Sequence, residues 1–67
     1  MNKKEPVSLR IMRAIRNITQ KELSWKTGIH QTTLCHIEKG YQEATPEQKD
    51  IIERVLDAKG LIDWVAV

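Results

Sequence analysis

Apolar positions recur along the chain at helical rather than strand spacing, and residues that start or stop helices bracket each recurrence. The clearest start is Ile18-Thr19-Gln20-Lys21-Glu22-Leu23. There Thr19 can accept from the backbone N–H of Glu22 while Glu22 reaches back to that of Thr19, and Ile18 and Leu23 stand where a hydrophobic staple forms. Gly28 suits the left-handed position beyond a last turn, so this helix is predicted to end at Thr27. Thr45-Pro46-Glu47-Gln48 is a second start, with Thr45 as cap, Pro46 at the first helical position and Gln48 completing a capping box. Ile51/Val55 and Ile52/Leu56 follow at i, i+4, and Gly60 is the predicted end. Between the two lies Gln31 to Lys39, ended by Gly40, with Leu34 and Ile37 on one face and Thr32, Cys35, His36 and Lys39 on the other. Upstream, Val7, Ile11 and Ile15 make a stripe that Leu9 and Met12 widen, predicting a helix after Pro6 that runs to Asn17 and packs against two or more others. Leu61 to Val67 is apolar and contains Trp64. It reads equally as a last helical turn, an irregular tail or a short strand.

The expected fold is all-α, a compact domain of four to five helices. Residues 1–6 read as a flexible arm, 7–60 as the helical domain and 61–67 as an apolar element that can serve as a dimer contact. Size agrees with one domain: 67 residues bury only about 60% of their unfolded surface, which leaves little room for an enzyme cleft. A single cysteine excludes an internal disulfide, so packing must hold the fold. No long apolar stretch or signal-peptide pattern is present, which makes the cytoplasm the expected compartment.

Charge changes the picture once it is divided. Residues 1–42 carry eight Lys or Arg against three Glu, whereas residues 43–67 carry three against six acids. A basic half joined to an acidic half suits one surface for a polyanion and another kept off it. Solvated helix faces would produce the same count.

Candidate chemistry is sparse. His30, Cys35 and His36 lack the fourth ligand of a structural zinc site, and Cys35 has no second thiol to resolve an oxidised form. Ser8 and Ser24 have no His–Asp partners, and no glycine-rich phosphate loop exists. No enzyme activity, metal or cofactor is expected.

Two short helices around a glycine turn form a helix-turn-helix unit at about residues 20–39. The string Thr19-Gln20-Lys21-Glu22-Leu23, Gly28-Ile29, Leu34 and Ile37-Glu38-Lys39-Gly40, with Leu9 and Arg13 upstream, resembles the lambda repressor/Cro-like helix-turn-helix family, also called the XRE family. The resemblance covers roughly residues 8–58. It implies a third helix laid in the DNA major groove, with Gln31 and Thr32 as first base readers and His36 one turn further in. It also implies phosphate contacts from Gln20, Thr33, Lys39 and Tyr41, and a partly buried ion pair between Arg13 and Glu38. The chain departs from the family pattern at His30, where a small polar cap is usual, at Ala44, where proline is common, and at Thr27, where a small apolar residue is usual. The order of Ile15 and Arg16 at the end of the first helix also departs from it.

The function this resemblance implies is sequence-specific binding of a double-stranded DNA operator as a small transcriptional repressor, acting as a homodimer. The competing reading is a protein–protein adaptor or antitoxin-like module on the same fold. Trp25 and Trp64 are the candidate partner contacts: Trp25 either anchors a protein partner or lies flat over its own helix, and Trp64 also suits a cap over the core.

Overall fold

The computed structural model describes residues 5–65. Most of the expected arm, and Ala66 and Val67 of the expected apolar element, lie outside the described residues. Four helices follow in order: α1, Leu9–Arg16; α2, Gln20–Thr27; α3, Gln31–Glu38; and α4, Pro46–Leu56. The fold is all-α, and α2 packs against both α3 and α4 while α1 packs against α4.

Both capping boxes form. Glu22 N donates to Thr19 Oγ1 at 3.0 Å and Thr19 N to Glu22 Oε1 at 3.1 Å. Thr45 and Gln48 repeat the exchange at 3.1 and 2.9 Å. Helix α1 begins later than the apolar pattern predicts, because Ser8 rather than Pro6 sets its start: Ile11 N donates to Ser8 Oγ. Helix α3 begins at Gln31, and His30 at its N-cap position makes no side-chain cap.

The C-termini of α1, α3 and α4 share one device. Asn17, Gly40 and Asp57 all have positive φ. At each, the residue's own amide and the next one turn back onto the helix, the latter as in Ile18 N to Arg13 O, Tyr41 N to His36 O and Ala58 N to Glu53 O. These are Schellman closures, in which a left-handed residue lets orphan carbonyls find donors. Helix α4 therefore stops at Asp57 and not at Gly60, which is three residues downstream in the following turn. Arg16 fixes that end: its Nε donates to Leu56 O at 2.6 Å and its Nη2 to Asp57 O at 2.9 Å. A guanidinium on the last carbonyls also opposes the negative end of the helix dipole.

The core is built from Leu9, Met12, Leu23, Ile29, Leu34, Ile37, Ala44, Ile52, Leu56, Ala58 and Ile62. This corrects the reading of α1. Its buried side chains are Leu9 and Met12, while Ile11 and Ile15 of the expected stripe are 46% and 57% exposed. Only Val7 of that stripe packs on the core, and it lies before the helix. Val7 instead pairs in parallel with Ile62: Val7 N donates to Leu61 O at 3.0 Å and Asp63 N to Val7 O at 2.8 Å. Of the three conformations open to the tail, the one adopted through Ile62 is a single-bridge strand, followed by a turn at Trp64. Trp64 packs against the core and donates its Nε1–H to Glu53 at 3.0 Å.

Candidate nucleic-acid interface

The turn between α2 and α3 sets the angle at which α3 is presented. Gly28 takes φ +78°, and its amide closes α2 on Ser24 O. Ser24 Oγ then donates to Ile29 O at 2.6 Å. Thr27 contributes where an apolar residue could not, since its hydroxyl donates to Leu23 O at 2.7 Å and accepts from Ile29 N at 3.1 Å. Two hydroxyls thus satisfy the backbone of the turn, a role that depends on the turn's geometry and leaves no spacing signal in the sequence. Ile29 can bury without leaving an unpaired amide.

Leu34 and Ile37 hold the inner face of α3 in the core. That burial leaves Gln31 and Thr32 exposed, and Thr33, Cys35 and His36 half-buried at the surface. Lys39 and Tyr41 are exposed just beyond the helix. The His36 and Tyr41 rings lie 5.8 Å apart at a tilt of 49°, and Lys39 Nζ stands 6.0 Å from the Tyr41 ring centre. The three therefore form one cluster at the C-terminal end of α3. At its other end, the lack of a side-chain cap leaves the first-turn amides of α3 open to an acceptor.

A second group of residues ties α3 to the rest of the domain. Arg13 binds Glu38 through two parallel hydrogen bonds, Nε to Oε2 at 2.6 Å and Nη2 to Oε1 at 3.1 Å. The Arg13 and Glu38 side chains are 14% and 5% exposed, and Arg13 Nη1 also donates to Ile18 O at 3.0 Å. This fork-to-carboxylate geometry locks the end of α1 to the end of α3.

Gln20 extends the network. Its Nε2 donates to Glu38 Oε1 at 3.2 Å, and its Oε1 accepts from Gln31 Nε2 at 3.5 Å. Gln20, expected only as a phosphate contact, is thus also a link between the partly buried ion pair and the first residue of α3. The signal in the sequence was weak: two glutamines, each opening a helix, whose approach depends on the crossing of α2 and α3.

A model of the helix-turn-helix family matches residues 9–62. That span holds all four helices and the Val7-paired residue Ile62. No match was found among curated proteins, and none among solved structures.

Proposed function

The chain belongs to the XRE-type helix-turn-helix family of DNA-binding regulators, and on that premise we propose that it is a small repressor reading its operator with α3. Gln31, Thr32 and His36 are the base readers. Gln20, Thr33, Lys39 and Tyr41 hold the phosphates, helped by the open amides at the starts of α2 and α3.

The observation that carries this reading is the polarity of the Gln20–Gln31 pair. Ionised Glu38 can only accept, and it already takes two N–H groups from Arg13. Gln20 must therefore turn its amide nitrogen to Glu38 and its oxygen to Gln31. Gln31 in turn spends one N–H on Gln20 and keeps one N–H and its oxygen free. That remaining pair matches N7 and the N6 amino group of adenine, the bidentate contact by which glutamine selects this base.

A single module of this size buries little DNA surface, so two copies on a two-fold operator supply the affinity. Ile11 and Ile15, exposed one turn apart, offer an apolar face to a second copy. Ile15 also shares a concavity with Val7 and Leu61, which brings the start of the tail to the same surface. Repression follows when such a dimer covers a promoter. Among the described residues no helix is long and apolar enough to cross a membrane.

Selection from a random duplex pool tests the reading. The expected result is an enriched palindrome with adenine under Gln31, whose affinity falls steeply with salt as phosphate counterions are released. Gln31→Ala with His36→Ala should abolish site preference while leaving the helix content unchanged. Retained preference in that double variant would refute the reader assignment, and no enrichment at low salt from folded protein would refute DNA reading altogether.

A further inference from the structure

Helix α2 carries two large apolar side chains, and they face apart. Leu23 is fully buried, whereas Trp25, two residues on and about 200° round the helix, is 81% exposed. No rotation of α2 buries both, so Trp25 is not a misplaced core residue. Its indole does not lie flat across its own helix: at that exposure it stands as a ridge between two shallow hollows of about 430 and 400 Å³. Thr19, Glu22 and Lys26 line one hollow, Ser24, His30 and Gln31 the other, and Lys21 borders both.

The charges beside the ridge are net positive, two ammonium groups against the one carboxylate of Glu22. Lys21 and Lys26 have no ion-pair or hydrogen-bond partner among the described residues. The one acid at the ridge, Glu22, is committed to the Thr19 capping box. An aromatic ridge with two unpaired ammonium groups is complementary to a carboxylate-rich segment that also carries an apolar side chain. Burying an indole removes about 150–250 Å² of mostly apolar surface from water, and residues of this type dominate the energy of protein interfaces.

We propose that the Trp25 ridge of α2 is a docking surface for an acidic, apolar-bearing peptide segment of a partner protein. A protein segment fits better than nucleic acid. Duplex DNA keeps its bases stacked and offers an indole little beyond thymine methyls and sugar edges, and single strands are held by successive stacking platforms, whereas no Trp, Tyr or Phe besides Trp25 lines either hollow. The proposal does not rest on the DNA reading, but the two surfaces meet at Gln31, which borders the second hollow.

The test uses the full chain and a fluorescein-labelled peptide of alternating glutamate and leucine. Two further peptides serve as comparisons, one with lysine in place of glutamate and one with serine in place of leucine. The expected result is saturable binding of the glutamate–leucine peptide alone, with a blue shift of the exposed tryptophan emission. Trp25→Ala, and separately Lys21→Glu with Lys26→Glu, should weaken binding by about tenfold or more with unchanged helix content. Because Trp25 makes little contact with the fold, Trp25→Gln provides a second, soluble version of the same loss. Equal binding of the lysine peptide, binding unaffected by Trp25→Ala, or no saturation overturns the proposal. So does a Trp25→Ala protein that loses affinity for duplex or single-stranded DNA, since the ridge would then serve nucleic acid.

Discussion

Replacing Glu38 by alanine should be the most damaging single change at the interface. The carboxylate is 5% exposed and takes two N–H groups from Arg13 and one from Gln20. Its loss strands a guanidinium that is itself only 14% exposed. Breaking one side of a buried pair costs roughly 3–5 kcal/mol, mainly through the uncompensated charge. Arg13 keeps the Ile18 carbonyl and some water, which places the expected cost near the lower end, about 3 kcal/mol. A chain of this length is stable by roughly 3–10 kcal/mol, so Glu38→Ala removes a large share of the whole. At about 4–8 °C per kcal/mol for a small domain, the melting midpoint should fall by about 12–24 °C. Thermal and urea unfolding followed by far-ultraviolet circular dichroism measure this. Adding Arg13→Met removes the stranded charge while preserving the packed stem, so the double variant should recover about 2 kcal/mol relative to the sum of the singles. A loss below about 1 kcal/mol, or strict additivity, would show that the pair behaves as a solvated surface contact and would refute the argument.

Two further outcomes follow from other parts of the structure. Gln20→Met removes both amide contacts and frees Gln31 to rotate, so discrimination at the base under Gln31 should fall by about 1 kcal/mol. The salt slope should not change, because no charge is lost, and competition binding with matched and altered duplexes at several ionic strengths checks both. Asp57→Gly should stabilise the domain by about 0.5–1 kcal/mol, read from the urea midpoint. It relieves a side chain at φ 53° and removes a carboxylate from the negative end of α4, while keeping the carbonyl that Arg16 grips. A midpoint that falls would assign Asp57 a side-chain role that its exposure does not suggest.

The start of α2, the start of α4 and the glycine turn were legible in the chain itself, because each depends on groups two to four residues apart. A threonine and a Glu or Gln three positions later form their capping box whatever lies beyond, and Gly28 needs only its own backbone freedom. The inner face of α3 was legible for the same reason, through the spacing of Leu34 and Ile37. The buried face of α1 was not. Val7, Ile11 and Ile15 share a stripe as good as that of Leu9 and Met12, and only the positions of α4 and the returning tail decide which of the two loses its water. The end of α4 at Asp57 also depended on a distant group, since Arg16 reaches its last carbonyls from α1. Gln20 and Gln31 are each unremarkable openers of a helix until the crossing of α2 and α3 brings their amides together over Glu38. Local hydrogen bonding, written into neighbouring residues, thus determined where helices begin and turn. The choice among apolar faces and the assembly of the proposed reading surface waited for tertiary packing, because hydrophobic burial has no direction of its own and takes one only from the partners that remove the water.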